Sequence, residues 1–389
     1  MATTKDARQA LVCKLCGKHG LTEIPKLDTL LGVTSDDRLW KESGSILFCS
    51  GCGHVQKMID ENWEQNATEV YSEYALYQSS GGAEHVVFHD SMPKPRSHFL
   101  LERLRDQIVI PEKGRMLDVG CGNGPLLRSF GKTFPQWSLV GFEPSERYRA
   151  DVQCIPSVES FHSGTIAQIP GSFDLIALYY VLEHLPSPAQ YIEELMGKLR
   201  PNGLLVVVVP NYLENPFDLL VIDHCSHFRA DSLSFFMKNS GLDVLDASTE
   251  WIPRAIAAVG KNSASKRSIA IQKGEDIPAK VQESLDWLNR VANDARSRAK
   301  GGDFGIFGTA TAGSWLAGVL GESVKFFVDE DSARTGPGKS HLGRPVYQPV
   351  NVPPHKPIYL ALPPALAKIL FDRLQPAYPE LQFILPPSS

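Results

Sequence analysis

The stretch MLDVGCGNGPLL, at residues 116–127, constrains the fold more than any other part of the chain. Asp118 lies within an apolar run. Three glycines, Gly120, Gly122 and Gly124, follow before a second apolar segment begins. Glycines at such a place permit a tight turn and let a ligand approach the backbone. The pattern predicts a strand, a glycine turn and a helix whose N-terminus favours a negatively charged ligand group.

The segments after this turn repeat the alternation of strand and helix. WSLVGFEP, SFDLIALYYVLEHL and GLLVVVVP predict further strands, and PAQYIEELMGKLRPNG predicts an amphipathic helix ended by Pro201 and Gly203. Apolar strands separated by helices predict a parallel sheet with helices on both faces, which is an α/β fold. Glu143 falls at the end of the second strand, where a carboxylate can accept hydrogen bonds from both hydroxyls of a ribose.

Two C-x-x-C pairs lie near the start of the chain, Cys13 with Cys16 and Cys49 with Cys52. Four thiolates in this arrangement indicate tetrahedral zinc, and a site closed by four protein ligands is structural rather than catalytic. The pairs are separated by 32 residues, so we expect the insert to fold into a small lobe of its own.

Composition excludes several classes of protein. The chain has 389 residues, 43% of them apolar, with a net charge of −5 and no long basic run, so a nucleic-acid partner has no electrostatic support. The start of the chain is polar, and the longest apolar run is too short to cross a bilayer. Seven cysteines, four of them in C-x-x-C pairs, favour a reducing compartment. We therefore expect a cytoplasmic protein without a membrane partner.

The last third of the chain predicts a second domain. AKVQESLDWLNRVANDARSRAK is typical of a long helix, and DFGIFGTATAGSWLAGVLG followed by VKFFVDED indicates a second strand, glycine turn, helix and strand. This turn lacks dinucleotide spacing, so it supports either a nucleotide or only the packing of a helix on a sheet. RTGPGKSHLG contains G-K-S, but Ala333 stands where a P-loop needs its first glycine, which favours a surface loop.

The first glycine turn has a recognisable spacing. Dinucleotide folds use G-x-G-x-x-G, whereas this chain has D-x-G-x-G-x-G. That pattern, with the strands after it, resembles motif I of the Rossmann-like (class I) S-adenosylmethionine-dependent methyltransferases. The resemblance implies S-adenosylmethionine as the cofactor, with Asp118 orienting its methionine end. The residues implied in its binding are Asp118, Gly120, Cys121, Gly122, Asn123, Gly124, Glu143 and Pro144.

The order of all the parts resembles a narrower family, the zinc-containing sugar C-methyltransferases that act on nucleotide-linked keto-deoxysugars. The cysteine pairs, EYALYQSSGG, VLEHL, NYLENPFDLLVIDHCSHF and FFVDEDSARTGPGKSHLGRPV carry this resemblance, which covers nearly the whole chain. It implies a nucleotide-sugar as the substrate. The implied domains are a zinc-binding lobe (1–70), a tyrosine-rich joint (71–92), a methyltransferase domain (93–262) and a C-terminal Rossmann-like domain (263–389).

The same resemblance implies a set of catalytic residues. Methylation of carbon requires a base that removes a proton next to a ketone, and donors that stabilise the enolate. We expect His224 to be the base, with Asp223 orienting it. Tyr77 in the joint and His184 after the fourth strand would face the enolate or the sugar hydroxyls, and His227 is a further candidate.

This sequence departs from the family pattern around the expected base. Asp223 replaces a glutamate, Val221 a tyrosine, Ile222 a histidine and His227 a tyrosine. Two alternatives therefore stay open beside carbon methylation. In one, His224 or His227 deprotonates a hydroxyl or amine of a sugar or glycan precursor. In the other, the chain is a non-catalytic binding protein, against which the intact glycine motif and Glu143 argue.

Overall fold

The computed structural model describes most of the chain, in the residue ranges 12–25, 30–73, 84, 86–89, 92–263 and 276–388. Tyr77, a catalytic residue in the sequence prediction, lies outside these ranges. No helix within them combines the length and apolar character needed to cross a membrane.

The cysteine-bearing region is built from short strands and one helix. Its elements are β1 (Leu21–Ile24), β2 (Gly32–Val33), β3 (Leu39–Trp40), β4 (Ile46–Cys49), β5 (Val55–Lys57) and α1 (Glu61–Ser72). Strands β1, β4 and β5 pair antiparallel, and β2 pairs with β3 in a separate hairpin. Helix α1 begins where the Asp60 carboxylate accepts a hydrogen bond from the Trp63 amide at 2.8 Å, a normal N-cap.

A seven-stranded sheet forms the centre of the molecule. A hairpin and a helix precede it: β6 (Val86–His89), β7 (Met92–Pro95) and α2 (Arg96–Gln107). The sheet region then contains β8 (Arg115–Val119), α3 (Pro125–Thr133), β9 (Ser138–Phe142), α4 (Arg149–Gln153), β10 (Val158–His162), β11 (Phe173–Tyr179), α5 (Pro188–Met196), β12 (Leu199–Pro210), β13 (Ser226–His227), α6 (Ala230–Asn239), β14 (Leu242–Ser248) and β15 (Ala255–Asn262).

The central sheet confirms the predicted α/β fold. Its order is β10-β9-β8-β11-β12-β15-β14, in which β15 alone runs antiparallel to its neighbours. Apolar clusters pack against both faces, as continuous apolar strands require. Because the parallel strands all end at one edge, the turns that follow β8, β9, β11 and β12 meet there.

Two element boundaries differ from the sequence prediction. The helix expected to run to Pro201 ends at Met196, and the chain enters β12 at Leu199. The strand expected to continue through YYVLEHL ends at Tyr179, because Tyr180 has a φ of 58° and turns the chain into a short 3-10 helix. This turn brings Leu182–His184 to the carboxyl edge of the sheet.

The cysteine region is not the self-contained lobe that the sequence predicts. Its sheet is completed by β13, which pairs antiparallel with β5 through Ser226 and His227. Cys13, Cys49 and Cys52 also belong to the apolar cluster that covers one face of the central sheet. The region is therefore packed directly onto the segment that carries the candidate catalytic histidines.

The C-terminal region has its own sheet. Its elements are α7 (Ile277–Arg298), β16 (Phe304–Phe307), α8 (Thr311–Leu320), β17 (Val324–Val328), β18 (Ser340–His341), β19 (Arg344–Tyr347), β20 (Pro357–Leu360), α9 (Pro364–Ala377) and β21 (Gln382–Ile384). The order is β18-β19-β17-β16-β20-β21, parallel except for β18. The long helix and the strand–turn–helix predicted from sequence are thus both present.

The second glycine turn supports packing rather than a nucleotide site. A Cβ atom on Gly313 would lie 2.0 Å from the Gly308 carbonyl oxygen, so the helix start and the turn are in close contact. The buried carboxylate of Asp37, from the cysteine region, accepts a hydrogen bond from the Thr311 hydroxyl at 3.1 Å. A carboxyl group supplied by the protein therefore already lies at the first turn of α8.

Candidate functional site

The glycine turn after β8 has the geometry that its sequence predicts. Gly120, Gly122 and Gly124 all have positive φ values, of 69°, 50° and 85°. A Cβ atom on Gly120 would lie 2.5 Å from Val181 Cγ2, so only glycine fits between the two turns. The Gly122 amide donates a hydrogen bond to Glu143 Oε2 at 3.0 Å, which ties the turn to the end of β9.

Asp118 lies inside this turn as an unpartnered acid. Its side chain is 1% exposed, and neither carboxylate oxygen has a hydrogen-bond partner among the described residues. Burial raises its pKa well above the usual range, and the nearby carboxylates of Glu143 and Glu84 raise it further. A buried carboxylate without a donor fits a cationic ligand group, such as the ammonium of a methionine. The turn therefore fits the predicted cofactor.

The other predicted cofactor residues surround the turn. Cys121 and Asn123 are buried, and burial raises the pKa of the Cys121 thiol well above its usual value. The backbone carbonyl of Asn123 accepts a hydrogen bond from the Arg128 guanidinium at 2.7 Å. Pro144, next to Glu143 in sequence, is exposed. These residues shape the turn mainly through their backbone.

Asp218 is the functional residue that the sequence interpretation missed. It is buried in a short 3-10 helix, and its two oxygens contact two histidines, His224 Nδ1 at 2.7 Å and His227 Nδ1 at 2.8 Å. Burial opposes the charge of Asp218, but the histidines hold its pKa below the usual range. No local pattern marks this contact, because it depends on how the loop after β12 folds.

The carboxylate next to His224 in sequence has a different partner. Asp223 accepts hydrogen bonds from the Ser35 amide at 2.9 Å and the Ser35 hydroxyl at 2.5 Å. Its Oδ2 also lies 3.3 Å from His184 Nδ1. No hydrogen bond or ion pair joins Asp223 to His224 among the described residues, and Asp223 engages Ser35 and His184 instead. Asp218, not Asp223, is thus the acid that orients His224.

His184 and His224 form the centre of the site. Their rings are perpendicular, with centroids 4.6 Å apart. The Tyr71 hydroxyl, at the end of α1, lies 3.0 Å from His184 Nδ1. Both histidines make their hydrogen bonds and ion pairs with the described residues through Nδ1, so the Nε2 atom of each ring points away from these partners. The described part of the expected joint therefore contributes a tyrosine, although not the one that the sequence suggested.

A buried glutamate stands beside the two histidines. Glu183 is 1% exposed, and neither of its oxygens has a hydrogen-bond partner among the described residues. Burial raises the pKa of its carboxyl group. The Cys225 thiol donates to the Glu183 carbonyl at 3.3 Å, which holds the His224 segment against the turn after β11. The three acids of the site thus have different environments: Asp218 and Asp223 are hydrogen-bonded, whereas Glu183 has no side-chain hydrogen-bond partner among the described residues.

The four cysteines come together in space. Cys13 Sγ lies 3.5 Å from Cys52 Sγ, and Cys16 Sγ lies 3.7 Å from Cys49 Sγ. All four sulfur atoms lie within 4.8 Å of one another. Thiolates bound tetrahedrally to zinc at about 2.3 Å would be about 3.8 Å apart, so this cluster has the size and chemistry of a zinc site.

Comparison with known families agrees with this geometry. Residues 94–247 match a family model described as a methyltransferase domain. They contain the glycine turn, Glu143 and His184 as well as most of the central sheet. The chain therefore carries a class I methyltransferase domain, the class that uses S-adenosylmethionine.

Similar sequences come from small-molecule methyltransferases. Trans-aconitate 2-methyltransferase of Deinococcus radiodurans is 33% identical over 126 residues, which are 31% of this chain and 45% of that protein. The mitochondrial ubiquinone biosynthesis O-methyltransferase of Schizosaccharomyces pombe is 26% identical over 176 residues, 40% of this chain and 64% of that protein. The chain thus spans about half the length of the curated relatives it matches.

Solved structures with a similar domain include human N-acetylserotonin methyltransferase in complex with S-adenosylmethionine. It is 17% identical, with a TM-score of 0.35, and the likeness covers 43% of this chain and 50% of that one. An S-adenosylmethionine-dependent methyltransferase from Clostridium acetobutylicum is 11% identical, with a TM-score of 0.35, over 51% of this chain and 97% of that one.

Proposed function

We propose that this protein transfers a methyl group from S-adenosylmethionine to a small acceptor that His224 deprotonates. The observation that carries the proposal is the buried Asp218–His224 pair at 2.7 Å, located at the same sheet edge as the glycine turn. Direct contacts connect the glycine turn to the His224 segment. Gly120 packs against Val181, and the backbone carbonyl of Glu183, two residues after Val181, accepts a hydrogen bond from the Cys225 thiol. A base and a cofactor turn are thereby held in one rigid arrangement.

Bound S-adenosylmethionine supplies an electrophilic methyl group. The chain orients the reactants and moves a proton. Asp218 accepts from His224 Nδ1, which leaves Nε2 as the atom that can take a proton from an acceptor. The Asp218 carboxylate then stabilises the imidazolium that forms. His184, held by Tyr71 and Asp223, presents a second imidazole beside it as a donor for an oxyanion.

The charge state of His224 predicts the pH dependence. Burial lowers the pKa of His224, but Asp218, with smaller contributions from Glu183 and Asp223, raises it to about 9. Only neutral imidazole can act as a base. The rate should therefore rise with pH and level off above about 9. Asp218→Asn should move this inflection to lower pH, and an unmoved inflection would assign it to another group.

The acceptor that we propose is a nucleotide-linked keto-sugar methylated on carbon. This acceptor is supported by the order of the parts along the chain, cysteine region, joint, methyltransferase domain and C-terminal domain, which resembles that of the sugar C-methyltransferases. His184 and Tyr71 could stabilise an enolate. The second candidate is transfer to oxygen, which the names of the relatives favour, since they include an O-methyltransferase of ubiquinone biosynthesis. If the acceptor is methylated on carbon, solvent deuterium should exchange into the position next to the ketone in the absence of cofactor. If it is methylated on oxygen, no such exchange is expected.

Substitution of His224 tests the proposal itself. His224→Ala should lower turnover by a factor of about 10² to 10⁴, the usual contribution of a general base. Binding of S-adenosylhomocysteine, measured by calorimetry, should change little because His224 is not part of the glycine turn. Wild-type protein that fails to bind S-adenosylhomocysteine would refute the proposed activity, whatever the variant does.

We further propose that the four-cysteine cluster holds zinc in a structural role. Three of its cysteines belong to the apolar cluster of the central sheet, and four thiolates fill all the positions of a tetrahedral site. Removal of the metal with a chelator should lower the melting temperature and turnover together. Unchanged melting after metal analysis has verified the loss of zinc would contradict this role.

A further inference from the structure

A large cleft separates the methyltransferase domain from the C-terminal region. Its volume is about 1140 Å³, enough for a ligand considerably larger than one ring. The loop after β12 and the residues just before β15 form one wall, and helices α7 and α9 form the other. The cleft opens beside the carboxyl edge of the central sheet, where the candidate active site lies.

Arg254 is the unusual residue of this wall. It has a φ of 63°, a strained conformation for a side chain of this size. Its guanidinium has no hydrogen bond or ion pair with any residue that the structure describes, and its Nε atom is buried. Burial and the neighbouring Arg96 lower its pKa to about 10. Its Nε atom is thus a buried donor at the wall of the cleft that no described residue satisfies, which is costly for the fold.

The neighbouring acid Glu214 raises the pKa of Arg254 but uses its carboxylate elsewhere. Glu214 accepts hydrogen bonds from the Asn211 side chain at 2.9 Å and from the backbone amide of Arg254 at 3.2 Å. No ion pair joins its carboxylate to the Arg254 guanidinium within the described ranges. By contrast, Arg373 on the opposite wall donates two hydrogen bonds to Glu330, at 2.8 and 2.5 Å. Arg254 therefore retains the capacity to bind an anion, and Arg373 does not.

The position of Arg254 links the cleft to the reaction centre. The Tyr180 amide, after β11, donates to the Val208 carbonyl of β12 at 2.9 Å, and the Asn211 amide, after β12, donates to the Arg254 carbonyl at 3.0 Å, so Arg254 and the turn that carries Glu183 lie at the same sheet edge. Glu183 is in turn next to His184 and His224. An acceptor bound through Arg254 could thus extend from the cleft to the histidines.

We propose that Arg254 binds an anionic group, a carboxylate or a phosphate, of the methyl acceptor. The proposal rests on the methyltransferase activity proposed above and adds the residue that recognises an anionic group of the acceptor. Guanidinium suits either group, because its planar fork donates two parallel hydrogen bonds to paired oxygens. A bound anion would accept a hydrogen bond from the Nε donor that no described residue satisfies.

The experiment compares Arg254→Met with wild type, using two probes, inorganic pyrophosphate and the tricarboxylate trans-aconitate. At least one probe should bind the wild type in calorimetry, and Arg254→Met should weaken that binding by roughly tenfold or more. The probe that binds distinguishes a phosphate from a carboxylate acceptor. Arg254→Lys should retain part of the affinity. Arg290→Met, an exposed arginine of the same cleft, should leave it nearly unchanged.

Melting temperature separates binding from a structural role. Removing the buried Nε donor, which no described residue satisfies, should raise the melting temperature of Arg254→Met in the absence of ligand. A decrease, or a wild type that binds neither probe, would overturn the proposal. So would a loss of S-adenosylhomocysteine affinity in Arg254→Met, because it would assign the arginine to the cofactor carboxylate. That last result would leave the proposed methyltransferase activity intact.

Discussion

The two glycine turns of this chain share a local design and differ in what fills them. Both connect a parallel strand to a helix, β8 to α3 and β16 to α8. In the first turn the buried acid Asp118 has no donor among the described residues. In the second turn Asp37 lies at the start of α8 and accepts from Thr311. A glycine turn thus becomes a ligand site only when the protein leaves its polar groups without partners.

The second turn is closed further by side chains of its own domain. Asp329 accepts hydrogen bonds from the Thr309 amide at 3.3 Å and from its hydroxyl at 2.9 Å. The Thr309 hydroxyl in turn accepts from Arg334 at 2.9 Å. The side chains of Thr309, Asp329 and Arg334 are therefore engaged with one another, which favours a packed turn over a second nucleotide site.

The largest expected difference between the turns concerns their acids. Asp118→Asn should weaken S-adenosylhomocysteine binding by roughly tenfold to a hundredfold, because it removes a charged hydrogen bond to the ligand ammonium. Asp37→Asn, the matched change in the second turn, should leave this affinity unchanged. Calorimetry on both variants tests the comparison. Equal losses would show that the two turns are not functionally distinct.

A smaller difference is expected from the glycines. Gly120→Ala imposes a positive φ on alanine and displaces Val181, so cofactor affinity should fall by about tenfold. Gly313→Ala meets the Gly308 carbonyl oxygen instead, so it should cost about 1–3 kcal/mol of unfolding free energy with little effect on cofactor affinity. Calorimetry measures the affinity and denaturant unfolding measures the stability. A loss of cofactor affinity in Gly313→Ala but not in Gly120→Ala would contradict this comparison.

The smallest expected effect is a pH dependence of stability at the second turn. Burial, partly offset by Arg334, raises the pKa of Asp37 to about 7. The folded state therefore keeps this proton after the unfolded chain has lost it near pH 4. Stability should decrease as pH rises from about 4 to about 7. Asp37→Asn should flatten that slope in denaturant titrations, and an unchanged slope would place the titration elsewhere.

The sequence predicts those features that depend on neighbouring residues. The glycine spacing, the C-x-x-C pairs and the alternation of strands and helices are local, and the structure contains each of them. Asp218 was missed because its link to His224 depends on a loop without periodicity. The contact between Ser35 and Asp223 spans 188 positions, and that between Asp37 and Thr311 spans 274. No spacing rule relates residues so far apart.

The strand pair formed by β5 and β13 has a consequence for how the chain folds. His54 and Ser226 lie 172 residues apart in sequence, yet their side chains are joined by a hydrogen bond at 3.2 Å. Closing so long a loop is entropically expensive and slow, so this contact should form only after the central sheet has assembled. The cysteine region is synthesised before β13 and cannot complete its sheet until that strand is present. We therefore expect the cysteine region and the histidine site beside it to form among the final steps of folding.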